Sequence, residues 1–303
     1  MNLNSNMPEF LYDLLIKQYG EENTNKIIEG YKAKRNTTLR VNTIKTNTEK
    51  IKDELIKEKI EFEEVSWSKD ALIIKNVGEA DLQKLYMYES GEIYLQSLSS
   101  MLPPIILNPK EKENILDMAA APGGKTTQIA ALTNNESFIT ACEMNKIRSE
   151  RLKYNIEKQG AKGILVMLTD SRKMDDFFMF DRILLDAPCS GSGTIDLNNS
   201  DMKKIFTMNL INKSISSQIT MLKKALKVLK RGKEMVYSTC SILECENEEI
   251  VRKAIQGLNV EIVPIEFKGI EDIPTLPTKI EGTICVCPNE LYEGFFVAKI
   301  RKK

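Results

Sequence analysis

From Gly91 onward the chain alternates short apolar runs with longer stretches of helical periodicity, and this alternation limits the fold more than any other feature. The runs are Ile115-Leu116, Phe138 to Cys142, Ile164 to Leu168, Ile183 to Leu185, Met235 to Tyr237, Ile262 to Ile265 and Phe295 to Ile300. Ile215, Ile219, Leu222, Leu226 and Leu229 recur at four-three-four-three spacing, the stripe of a helix lying on a sheet. Together these predict an α/β domain, doubly wound about a mostly parallel sheet. Ligands of such folds bind beyond the carboxyl ends of the strands. The residues that follow each run are therefore the first candidates for a site.

Upstream the pattern differs. Residues 8 to 34 predict one or two amphipathic helices. TLRVNTI, from Thr38, predicts a strand, Asn47 caps a helix through Lys59, and EFEEVSW and ALIIK predict two more strands. This order suggests a small α+β module over residues 1–90, ahead of a larger domain over 91–303. Between Tyr31 and Lys45 stand five basic residues and no acidic one. They form either a solvated basic face or a phosphate-contacting surface.

Histidine is absent from all 303 residues. That removes Ser-His-Asp and Cys-His nucleophiles and H-E-x-x-H zinc sites. Proton transfer falls to Asp, Glu, Lys, Tyr, Cys or water. With 43 basic and 43 acidic side chains, a polyanion would have to be held by a local basic surface. Six cysteines are too sparse for a disulfide scaffold, and free thiols in a reducing cytoplasm are expected. The stretch MNLNSNMPEFLYDLLIKQYG lacks the features of a secretory signal. No apolar run approaches the roughly 18 residues of a membrane span.

The first run of the larger domain leads into Asp117-Met118-Ala119-Ala120-Ala121-Pro122-Gly123-Gly124-Lys125-Thr126-Thr127. Its small residues let a ligand approach the backbone, and the following helix presents its N–H groups. A phosphate-binding P-loop is one reading, but that pattern needs glycine where Ala119 stands. Glu143 ends the second run, 19 residues after Gly124, an offset suited to a ribose diol, and Asp170 follows the third. The fourth run ends in Asp186-Ala187-Pro188-Cys189-Ser190-Gly191-Ser192-Gly193 and the fifth in Tyr237-Ser238-Thr239-Cys240-Ser241. A lone cysteine there would read as a small buried hydrophobe. Two, each after a strand facing one crevice, raise the catalytic reading. The spacings of Cys240 and Cys245, and of Cys285 and Cys287, are not those of a zinc site. Cys245, Cys285 and Cys287 read as structural.

These segments resemble the Nop/Sun, or RsmB-like, family of RNA cytosine-5 methyltransferases over nearly the whole chain. The resemblance rests on Thr38 to Asn42, Gln96 to Pro104, the Ala120 to Thr126 loop, Asp186 to Gly191, Tyr237 to Ser241 and Gly294 to Lys299. The short form looks most like archaeal tRNA methyltransferases of that family. It implies a Rossmann-like class I methyltransferase domain and S-adenosylmethionine as cofactor, with no metal. Ala119, Ala120, Ala121, Pro122, Gly123, Gly124 and Lys125 would wrap the methionine end. Glu143 would take the ribose and Asp170 the adenine, with Arg148 and Asp186 on the cofactor side. Cys240 would be the nucleophile at C6 of cytosine, and Cys189 would assist its release. Asp186 would hold the base edge, and Lys125 would favour a thiolate electrostatically. Lys34, Arg35 and Arg40 would hold RNA. The expected protein is a cytoplasmic, monomeric enzyme acting on tRNA. The alternatives are an rRNA substrate, a catalytically inactive RNA-binding module, or an NTPase. Two segments depart from the family: Ile195 to Ser200, where an arginine and a proline are common, and Cys287-Pro288-Asn289, where a histidine is common.

Overall fold

A computed structural model describes residues 6–303, so the first five residues of the N-terminal stretch read above lie outside it. The N-terminal part contains α1 (Glu9–Lys32), β1 (Thr37–Val41), α2 (Thr48–Lys57), β2 (Phe62–Val65), β3 (Ser68–Ile74), α3 (Glu79–Leu82), α4 (Tyr86–Glu89) and β4 (Ile93–Leu95). The remainder contains α5 (Leu98–Leu107), β5 (Asn114–Asp117), α6 (Gly124–Leu132), β6 (Phe138–Glu143), α7 (Lys146–Gln159), β7 (Ile164–Leu168) and β8 (Phe180–Asp186). It continues through α8 (Met202–Ile205), α9 (Met208–Val228), β9 (Leu229–Thr239), α10 (Glu248–Ile255), β10 (Val260–Val263), β11 (Thr275–Leu276), β12 (Ile284–Val286) and β13 (Phe295–Lys302).

The large sheet runs β11-β12-β13-β9-β8-β5-β6-β7. Strands β7, β6, β5, β8 and β9 are parallel, and β13 closes them antiparallel to β9. From β5 the chain winds outward through β6 and β7, then returns to the other side of β5 at β8. The switch point therefore lies between β5 and β8, where Asp117 and Asp186 end their strands. Leu116, Ile183, Leu185, Met235 and Tyr237 pack on one face with α9 and α10. Ile115, Ile139, Leu184 and Val236 pack on the other with α5 and α6. Helices cover both faces, which makes this the expected doubly wound Rossmann-like fold.

The buried line of α9 is Ile211, Ser214, Gln218, Leu222 and Ala225, with Ile215 and Ile219 only partly covered. Leu229 begins β9 rather than ending the helix. Leu222, Leu226 and Leu229 of the apolar stripe are buried as expected, while Gln218 also turns inward and donates to the Pro188 carbonyl at 3.1 Å.

The N-terminal module is a four-stranded antiparallel sheet, β2-β3-β1-β4. Its last strand, Ile93–Leu95, lies past residue 90 and pairs with β1, so the sheet crosses the expected boundary. Helix α1 breaks at Gly20, whose φ of 72° and ψ of 176° divide it into two segments. Leu11, Leu15, Ile27 and Tyr31 bury against the large sheet's core, not against the module. Each fully buried aliphatic among them contributes roughly 1.5–3 kcal/mol. The atypical segment after Thr194 explains this seat. Ile195 and Leu197 are buried in the same core, and Leu197 N–H donates to the Tyr31 carbonyl at 3.0 Å. Among the described residues, no helix is long and apolar enough to cross a membrane.

Candidate active site

Gly123 opens the site geometrically. Its φ of 111° lies where a side chain would strain the backbone, and it lets α6 begin at Gly124. Lys125, in the first turn of α6, points back across the switch point to Asp186 Oδ2 at 2.8 Å and donates to Ser100 Oγ at 2.7 Å. Burial pushes the ammonium pKa down, but the neighbouring negative groups, Asp186 foremost, together outweigh it and the net shift is upward. Ser238 Oγ–H donates to the other Asp186 oxygen at 2.8 Å. Beneath them, Asp117 is buried. It accepts from Thr126 Oγ at 2.7 Å, and desolvation pushes its carboxyl up to about 6.

β8 and β9 are parallel neighbours with Asp186 opposite Ser238. Three residues beyond Asp186 and two beyond Ser238, the cysteines meet: Cys189 Sγ lies 3.1 Å from Cys240 Sγ. Both are free thiols. The Cys189 thiol is pushed well up, first by its hydrogen bond to Cys240, then by burial, then by the Cys240 and Glu246 charges. Cys240, Asp186 and Lys125 line a cleft of about 500 Å³, shared with Ala119, Ala120, Ala121, Pro122 and Gly124. Cys189 stands behind Cys240.

A second, smaller pocket joins the first at Ala119 and is lined by Glu143, Arg148, Asp170, Pro188 and Met221. Glu143 Oε1 accepts from the Asn145 N–H at 2.8 Å, while Oε2 is 3.6 Å from the Arg148 guanidinium. Arg148 also donates to the Ala121 carbonyl at 2.7 Å, bracing the loop. Asp170 is gripped by Arg172 at 2.7 Å, which lowers its pKa through that hydrogen bond. Acidic acceptors at one end, apolar walls of Met118, Met144 and Met221, and a small-residue loop at the other fit an adenosine joined to an amino acid. Among the described residues, no group of three potential ligands that could hold a metal is assembled.

The basic residues divide. Lys34 is exposed. Arg35 lines the cleft mouth, with Nε and Nη2 buried and without a hydrogen-bond partner. Arg40 corrects the expectation of a phosphate contact: it is 4% exposed and faces inward. It donates to Gln96 Oε1 at 3.0 Å, Thr127 Oγ at 3.1 Å and the Gly124 carbonyl at 3.3 Å, and stacks near Tyr94. It binds the module to α6 instead. A residue that the sequence reading missed is Glu246, fully buried beside Cys245. It stands between Glu244 and Glu248 in an acidic stretch, where nothing in the local sequence marks it as buried.

Two family models match this chain. The one described as 16S rRNA methyltransferase RsmB/F matches residues 104–301. The RsmF/B-like ferredoxin-like domain matches residues 7–80. A Ribosomal RNA small subunit methyltransferase F from Shewanella loihica is 35% identical, over 80% of this chain and 51% of that protein. The chain spans about half the length of such relatives. A tRNA (cytosine(49)-C(5))-methyltransferase from Pyrococcus abyssi is 34% identical over 80% of both chains. A crystal structure of NSun6 from Pyrococcus horikoshii with SFG superposes with a TM-score of 0.86, 25% identity and coverage of 97% of this chain and 98% of that one. With a family model covering most of the large domain and its ferredoxin-like companion at the N-terminus, this chain belongs to the RsmB/F methyltransferase family.

Proposed function

We propose that this protein is a cytoplasmic, monomeric RNA cytosine-5 methyltransferase that uses S-adenosylmethionine and acts on tRNA. The observation that carries the reading is the contact of Cys189 with Cys240, which lines the same cleft as the Lys125–Asp186 pair. A structural pair of thiols would not need a buried lysine and a strand-end aspartate next to it.

When bound, S-adenosylmethionine supplies an electrophilic sulfonium methyl group. Its methionine end would lie on Ala119 to Lys125, its ribose on Glu143 and its adenine by Asp170, with Arg148 bracing the loop. Cys240, the thiol on the cleft wall, adds as thiolate to C6 of cytosine, which makes C5 nucleophilic enough to take the methyl group. Lys125 supplies positive charge near that thiolate. Asp186, oriented by Lys125 and Ser238, accepts from the amino edge of the base. Cys189 then takes the C5 proton, directly or through a water, and the C6–S bond breaks. Once Cys240 is bonded to carbon, its thiolate charge no longer raises the Cys189 pKa, while burial and Glu246 still do, so Cys189 gives its own proton to water before it takes the one from C5.

Arg35, which lines the cleft and is only partly buried, and exposed Lys34 are the groups we assign to the RNA backbone. The target base must leave its stack to enter the cleft, at a cost of a few kcal/mol in a duplex. A tRNA substrate is supported by the matched length of the Pyrococcus abyssi relative. The Shewanella loihica relative favours rRNA as the second reading. The test incubates Cys189→Ala with S-adenosylmethionine and separated tRNA and rRNA pools, followed by a denaturing gel. A slow-migrating protein–RNA adduct that vanishes when Cys240 is also replaced supports the mechanism and names the pool. Wild-type methylation with no adduct in Cys189→Ala removes the release role of Cys189.

A further inference from the structure

We propose that Glu246 is a positioning residue that holds Cys189 against Cys240, an inference that rests on the functional reading above only for its catalytic consequence. After β9 ends, the chain makes a single turn at Glu244–Glu246 and returns beneath its own strand. Tyr237 O–H, from inside β9, donates to the Glu246 carbonyl at 2.7 Å and pins that return. The Glu246 side chain is fully buried. One carboxylate oxygen accepts from the Ser190 N–H at 2.8 Å. The other accepts from Ser190 Oγ at 2.5 Å and from Ser241 Oγ at 2.7 Å.

Ser190 follows Cys189 and Ser241 follows Cys240. One carboxylate is therefore bonded to the residue beside each thiol, through neutral donors that leave its charge unneutralised. The same knot continues through Ser192 Oγ, 2.8 Å from Ser241 Oγ, and through the Gly193 N–H, which donates to the Cys240 carbonyl at 2.9 Å. Asn247 adds a second tie, accepting from Thr239 Oγ and donating to the Ser241 carbonyl at 2.9 Å. The two cysteines are 51 residues apart in sequence, on the loops after β8 and β9, and Glu246 bonds to both loops. Its charge also favours the protonated form of Cys189. A glutamine has the same shape but offers one acceptor oxygen and an NH₂, so one arm of the clamp would face a donor instead of an acceptor.

The thiol pair itself reports the clamp. Purified full-length protein is equilibrated with mixtures of reduced and oxidised glutathione at neutral pH, and the Cys189–Cys240 disulfide is quantified by mass spectrometry. Oxidised glutathione is the oxidant: two thiols lose two protons and two electrons to form the S–S bond, and glutathione disulfide becomes two thiols. Wild type should form the bond readily. In Glu246→Gln the equilibrium constant should fall by about tenfold or more, the effect of losing a hydrogen bond to a buried charge. Melting temperature should fall by several degrees without loss of the folded state, and cofactor affinity should be nearly unchanged. An unchanged equilibrium in a folded Glu246→Gln protein would overturn the proposal, as would a wild type that never forms this disulfide. Should Glu246→Gln fail to fold, Ser190→Ala, which removes one donor, should lower the constant by about threefold, and no change there overturns the proposal too. In the activity arm, kcat for RNA methylation should drop by about 10- to 100-fold with KM unchanged. A wild type inactive on every RNA pool would refute the functional reading, while the thiol equilibrium would still decide the positioning role.

Discussion

Lys125 Nζ lies 2.8 Å from Asp186 Oδ2, joining the first turn of the helix after β5 to the end of β8 across the switch point of the sheet. Both side chains are mostly buried, and the aspartate is foremost among the groups that keep the ammonium charged against its own desolvation. Asp186→Asn should therefore let burial win and lower the Lys125 pKa. If that charge serves catalysis, the alkaline limb of the pH–rate profile should move to lower pH, as single-turnover methylation from pH 6 to 10 would reveal. A Lys125→Met, Asp186→Asn double-mutant cycle should return a coupling of about 1–3 kcal/mol. A limb that stays in place would separate the lysine charge from the chemistry.

Cys240→Ser should abolish methyl transfer while leaving S-adenosylmethionine affinity within about twofold of wild type, because serine at neutral pH offers no comparable anion. Calorimetry for the cofactor and radiolabel incorporation into RNA measure the two quantities. Residual turnover near wild type would rule out a covalent role for this thiol.

Arg40 and Arg35 should behave oppositely. Arg40→Ala leaves buried neutral acceptors without a donor and should cost about 1–3 kcal/mol of stability, without altering the salt dependence of RNA binding. Arg35→Ala should leave the urea midpoint nearly unchanged and reduce the slope of log K against log salt by about 1. Filter binding across a salt series beside urea melts distinguishes them.

Asp117 should make stability pH-dependent. Burial raises its carboxyl from an ordinary value of 3.8 to about 6, so between those pH values the native state binds more protons than the unfolded chain. The contribution is complete below pH 3.8 and is lost as pH rises through 6, a difference of about 3 kcal/mol. Asp117→Asn should flatten this component in urea melts taken from pH 4 to 7. An unchanged slope would mean that Asp117 ionises normally in the native state.

The alternation after Gly91 and the residues at each strand end are local properties, and the sequence carried them. Five of the apolar runs became the parallel strands β5 to β9, while Phe295 to Ile300 became an antiparallel strand beside β9, and Asp117, Glu143, Asp170, Asp186 and Cys240 lie at or just past the strand ends. Tertiary structure decided which polar groups face inward. Arg40 belongs to a basic cluster by sequence, yet β1 turns it toward Gln96 and α6, where backbone and amide acceptors from distant segments satisfy it. Glu246 belongs to an acidic stretch, yet the return turn after β9 buries it against Ser190. The contact of Cys189 with Cys240 follows from the register that sets Asp186 opposite Ser238. Periodicity is set by neighbours along the chain, so one strand or helix reveals it. Register, burial and hydrogen-bond partners are set by segments tens to hundreds of residues away, and only the assembled sheet brings those together.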